Sequence, residues 1–225
     1  MEDYLKSTYY IESTDPAVTA FAQKSMGTEK DETARAVKLY YAVRDGFKYN
    51  PYMMRFEKQY YRASYVLEKG EGFCIQKAIL LAAAARSAGI PSRLGFANVI
   101  NHLSTKNLRD ILRTDLFVFH GYTELYINGR WVKATPAFNL SLCEKFGTCP
   151  LEFDGIHDSI FHPLDMKGQK HMEYVYDYGS FPDFPLEKMI NESKIYYPHL
   201  EKFIDGTLDV PEGNFEHEAD REPLN

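Results

Sequence analysis

The stretch over residues 70–91, Gly-Glu-Gly-Phe-Cys-Ile-Gln-Lys-Ala-Ile-Leu-Leu-Ala-Ala-Ala-Ala-Arg-Ser-Ala-Gly-Ile-Pro, constrains the fold more than any other part of the chain. Strong helix formers dominate residues 73–88, only Lys77 and Arg86 carry charge there, and Gly89 with Pro91 supplies a stop. A helix so short of polar residues needs cover on most of its circumference, which predicts a buried central helix. Cys74 falls in its first turn, with Ala78, Leu81, Ala82 and Ala85 following on the same face. A thiol there sits over unpaired backbone N–H groups and the positive end of the helix dipole, which favours a thiolate and offers donors to an oxyanion. Gly70 and Gly72 ahead of it leave room for another backbone or a substrate. Small-residue packing also accounts for a cysteine opening an apolar helix, so a catalytic reading needs a base from elsewhere in the chain.

The rest of the composition narrows the class. The chain has 225 residues, enough for a substantial core, and 44% hydrophobic with 26% charged residues is ordinary for a globular protein. Its 17 Tyr and 15 Phe against a single Trp suit clefts as well as cores, because tyrosine buries its ring and keeps its hydroxyl available. A net charge of -6 and no long Lys/Arg run argue against nucleic acid or an anionic membrane as partner. Cys74, Cys143 and Cys149 form no disulfide framework and point to a reducing compartment. The first residues lack a basic segment followed by an apolar one, and no apolar run reaches membrane-spanning length, so the expected location is the cytoplasm.

Taken in order, Asp15-Pro16 predicts a helix start that Gly27 ends, and a second start follows at Thr28 with Asp31 three residues on, closed at Gly46. Residues 47–52 make at most a short edge strand, and 64–70 a short helix that delivers the chain to Cys74. Residues 92–100 have strand composition, and 101–115 read as a polar excursion, either a flap beside a site or a plain surface insertion. Asn128-Gly129 between two strand-like runs is the clearest hairpin. If it is a two-residue loop, Ile127 pairs with Arg130 and His120 lies opposite Ala137, with Thr135 and Asn139 on its face. Residues 151–155 resemble another strand, 171–178 a late strand, and 186–204 a helix broken at Pro198. The chain reads as a single domain over 1–208 with a core at about 60–140, followed by an acidic, poorly ordered tail over 209–225.

Three segments in this order carry a resemblance. They are Gly70-Glu71-Gly72-Phe73-Cys74 with Ala78 beyond it, residues 88–93 ending the helix, and residues 120–132 running from His120 through Asn128-Gly129 to Trp131-Val132. Together they resemble the transglutaminase-like superfamily. The resemblance implies an α+β fold, papain-like, with the Cys-bearing central helix packed on an antiparallel β-sheet. It also implies acyl transfer, with Cys74 as nucleophile, His120 as base and then acid, and the Cys74 N–H as an oxyanion donor. It implies no metal and no organic cofactor. The family usually has an Asp-Pro pair after the Trp, whereas this chain has Thr135-Pro136, so Asn139 is the preferred orienting residue, with Thr135, Asp154 and Asp158 as alternatives.

The expected partner is therefore a peptide or protein amide substrate, hydrolysed or transferred to an amine. The competing reading is a catalytically incomplete module of the same family that binds peptide or protein ligands. A metal site built from His102, His120, His157, His162 and His171 with Cys143 and Cys149 lacks the paired spacing that would bring ligands together.

Overall fold

A computed structural model describes residues 1–208 and 213–221. Two amphipathic helices open the chain, α1 (Pro16–Met26) and α2 (Glu32–Gly46). Asp15 caps the first through the N–H groups of Ala17 and Val18. The second starts later than Thr28: Asp31 is its cap, accepting from Ala34 N–H at 2.8 Å, and the preceding residues form a turn closed on the Glu29 carboxylate. A short parallel pair, β1 (Lys48–Tyr49) and β2 (Glu71–Gly72), brackets α3 (Ala63–Lys69) and leads into α4 (Cys74–Ser87).

The sheet follows. Its strands are β3 (Ser92–Asn101), β4 (Leu116–Ile127), β5 (Arg130–Ala134) and β6 (Met172–Phe181), in the spatial order β5-β4-β3-β6 and antiparallel throughout. Between β3 and β4 lies α5 (Lys106–Leu112); α6 (Leu140–Phe146) follows β5, and α7 (Leu186–Tyr196), α8 (Glu201–Ile204) and α9 (Phe215–Ala219) complete the chain.

Helix α4 is sandwiched between β3 and β4 on one side and α1, α2 and α3 on the other. Every residue from Cys74 to Arg86 is buried as a result. The run Ala82–Ala83–Ala84–Ala85 lets neighbours approach, and the two charged side chains of the helix, Lys77 and Arg86, donate mainly to backbone carbonyls. Lys77 donates to the carbonyls of Arg44, Phe47 and Ala137 at 2.7–2.9 Å, and Arg86 to those of Lys6, Ser92 and Pro182. The central buried helix and the antiparallel sheet agree with the α+β expectation.

Two expectations need correction. The polar segment 101–115 is neither flap nor loose insertion: it holds α5, capped by Thr105, with Leu108 and Leu112 buried. Residues 151–155 form no strand, though Leu151 and Phe153 are buried as strand residues would be. Part of the tail expected to be poorly ordered, 209–212 and 222–225, lies outside the described residues. Between those segments α9 is docked: Phe215 is 2% exposed against Tyr49, Tyr52 and Phe146. Glu218 accepts from Tyr52, Thr105 and Asn107, so an acidic residue of this segment helps to hold α9 in place.

Candidate active site

The first turn of α4 is held from three directions. Gln76, fully buried, accepts the Phe73 N–H at 3.1 Å on Oε1 and donates from Nε2 to Tyr60 O at 2.8 Å. Gly72 lies against that carboxamide, a Cβ there falling 3.2 Å from Gln76 Oε1. One turn on, Lys77 joins α4 to the end of α2, to Phe47 and to the loop at Ala137. Burial pulls the Lys77 pKa down to about 7, yet three carbonyl acceptors match the three donors of an ammonium and exceed the two of a neutral amine.

Strand β4 crosses this turn. Thr123 Oγ1 donates to Ala78 O at 2.8 Å, and at Gly121 a Cβ would stand only 3.0 Å from Ile75 Cα. That contact brings the neighbours of Gly121 and Ile75 together: His120 and Cys74 line one narrow cavity of about 60 Å³. The hairpin forms as read, with Ile127 opposite Arg130. Pairing with β5 stops at Thr123–Ala134, however, because Pro136 cannot extend the ladder, so His120 has no partner at Ala137 and pairs only with Ala97 of β3 on its other side. A β-bulge sits beside it, with Val118 and Phe119 opposing Asn98 alone. Phe119 takes a left-handed φ of 62° and its N–H is held by Asn98 Oδ1 at 3.0 Å, so the backbone is re-aimed immediately before the imidazole.

Burial dominates the electrostatics. Cys74 is 8% and His120 5% exposed. Burial pushes the thiol up to about 11 against the opposing pull of the Gly121, Ile75 and Cys74 N–H groups, and it alone pushes His120 down to about 3. Nε2 of His120 has no hydrogen-bond partner, and its ring is packed between Phe161 at 5.0 Å and Tyr174 at 6.4 Å. Burial thus favours the neutral thiol and the neutral imidazole. A helix N-terminus was expected to favour the thiolate, but its donors are outweighed by the removal of water.

The third position is not a carboxylate. Asn139 accepts from Tyr49 N–H at 2.9 Å and donates to Ser141 Oγ and Glu216 Oε1, so its carboxamide is fully engaged and makes no bond to His120. Asp154 closes its own turn with Ile156 and His157, and Asp158 accepts from Lys133 N–H. Thr135 is buried with its hydroxyl unpartnered. It lies beside the hydroxyl of Tyr174, the ring that stands edge-on to His120. Among the described residues no cluster of three or more His, Cys, Asp or Glu could hold a metal ion. Nor is any helix among them long and apolar enough to cross a membrane.

Sequence reasoning missed Phe161, Tyr174 and Asn98, which come from segments with no motif. One signal was present: a glycine inside a strand pattern, as at Gly121, marks close approach of another backbone.

Comparison with known proteins bears on the family and the fold. The sequence model for the core of the Transglutaminase-like superfamily matches residues 19–136, more than half of the chain and including Cys74, His120 and Thr135. No curated protein matches the chain. A protein of Cytophaga hutchinsonii described as a "Putative Cysteine Protease" shares the fold at a TM-score of 0.50 and 16% identity, over 80% of this chain and 46% of that one. A "putative protease" of Parabacteroides distasonis is similar at a TM-score of 0.39 and 18% identity, over 62% of this chain and 25% of that one. The chain spans less than half the length of either. A buried helix opening at Cys74, a strand carrying His120 across its first turn and the match over residues 19–136 place this chain in the transglutaminase-like superfamily.

Proposed function

We propose that the protein is a cysteine enzyme that cleaves, or transfers, the acyl group of a peptide or isopeptide amide through a thioester on Cys74. The observation that carries this reading is the close approach of Gly121 to Ile75, which sets His120 and Cys74 into one cavity where backbone N–H groups of Gly121, Ile75 and Cys74 face the thiol. Sγ of Cys74 attacks the amide carbonyl and its proton passes to His120, forming the C–S bond as the carbonyl oxygen takes the negative charge. N–H groups at the start of α4 receive that charge. The C–N bond then breaks, His120 returns the proton to the departing amine, and water attacks the thioester to give the carboxylic acid and the free thiol. Burial opposes both separate charges, so proton transfer accompanies C–S bond formation and no standing thiolate is required. Nothing in the cavity selects a lysine acceptor, which makes water the default.

The test is acylation by an activated peptidyl ester, followed site by site with peptide mass spectrometry. Cys74 is expected to acylate faster than exposed Cys149, and His120→Ala to slow Cys74 by about 10²–10⁴-fold. Labelling confined to Cys149, or a Cys74 rate indifferent to His120→Ala, would sink the reading.

A second reading rests on the missing carboxylate. With no charged group to stabilise an imidazolium, the same cavity would bind a peptide without turning it over. Slow or absent acylation at Cys74 with retained peptide binding is its signature.

A further inference from the structure

Beyond the thiol and imidazole, the cavity has a composition of its own. Its walls include Leu108 and Leu112 of α5, Phe117 and Val118 of β4, and Met189 and Tyr197 from and after α7, and no Asp, Glu, Lys or Arg lines it. Two of its polar side chains are already engaged. Tyr197 donates its hydroxyl proton to Leu116 O at 2.7 Å and accepts the Val118 N–H at 2.8 Å, which closes the edge of β4 that β5 leaves unpaired. Ser193 donates to Met189 O at 2.8 Å. A charged side chain entering this space would lose its water and meet no group of opposite charge, whereas an apolar one would lose nothing.

We propose that this cavity selects the residue on the acyl side of the reacting amide and takes a branched aliphatic side chain of valine, leucine or isoleucine size. The proposal rests on the acyl-transfer reading above. Size supports it as well as polarity. A volume of about 60 Å³ is small and favours a compact aliphatic side chain over an aromatic ring.

The test uses p-nitrophenyl esters of N-acetyl Gly, Leu, Phe, Glu and Lys, with the acyl adduct on Cys74 read by mass spectrometry. Leu is expected to exceed Gly by about 10- to 100-fold, with Glu and Lys no better than Gly and Phe between Leu and Gly. Leu112→Ala, which enlarges the cavity, should raise the Phe-to-Leu ratio about tenfold. Equal rates for all five esters, while acylation still depends on His120, would overturn the pocket and leave the chemistry standing. A second measurement needs no chemistry: in Cys74→Ala, N-acetyl-leucinamide should raise the melting temperature and the Glu and Lys amides should not. That selectivity without any acylation would support the pocket while overturning the enzyme reading, and equal shifts from all the amides would overturn the pocket itself.

Discussion

In the reaction proposed above His120 is the base, and among the described residues no charged group raises its pKa. Its depressed pKa has burial as its cause, and Thr135, at the sequence position of the family's Asp-Pro pair, is buried and uncharged beside Tyr174, whose ring stands edge-on to His120. Thr135→Asp is therefore expected to raise the His120 pKa by about 1–3 pH units and to carry the acidic limb of the Cys74 acylation profile with it. The rate at neutral pH should rise as well. The pH–rate profile, with the imidazole followed by NMR, checks this; a profile unchanged by the substitution would mean that position 135 does not reach the ring. The same scale explains why Asn139 was attractive in the sequence and is engaged elsewhere. An amide beside a hairpin is a plausible orienter on register alone, but register says nothing about which partners fill its three hydrogen bonds, and here Tyr49, Ser141 and Glu216 do.

The junction of β4 with α4 is the element on which the site depends. Gly121→Ala would put a methyl group 3.0 Å from Ile75 Cα and 3.1 Å from its Cγ1, and backbone cannot swing aside as a flexible side chain would. Overpacking of this kind costs about 1–3 kcal/mol. Moving β4 by a few tenths of an ångström should also lower Cys74 acylation about tenfold, beyond what the stability loss explains. Denaturant unfolding and acylation at a temperature where the variant is folded separate the two effects. The elements around this junction were legible to different degrees. The helix at 74–87 and the hairpin at 128–129 announce themselves through local chemistry, an alanine-rich apolar run and an Asn-Gly turn with φ of 50° and 82°. The β-bulge at Phe119 does not. It arises because Asn98 on the neighbouring strand supplies the acceptor that holds a left-handed residue, a contact between positions 21 apart with no local signature.

At the scale of the whole molecule, the site is buried because α4 is covered on both sides, and that burial writes a pH dependence into stability. It holds two histidines neutral: His120 at about 3 and His171, 3% exposed with Nε2 unpartnered, at about 4. An unfolded imidazole binds its proton near pH 6.5, so from there down to the folded values the unfolded chain holds more protons than the native one. The contribution of these two histidines is thus full above pH 6.5 and falls as the pH drops below it, by up to about 1.4 kcal/mol per pH unit for each. The Glu216 carboxylate, held down to about 2 by Ser141, Asn139 and Lys48 against burial, loses its contribution only below the usual carboxylate range. The interval between pH 5 and 6.5 therefore isolates the histidines. Urea midpoints measured across it should decline with acid, and His171→Gln should flatten the decline by about half. A midpoint constant over that interval would mean that the two imidazoles bind protons equally well in the folded and unfolded chains, and that the cavity beside Cys74 admits water freely.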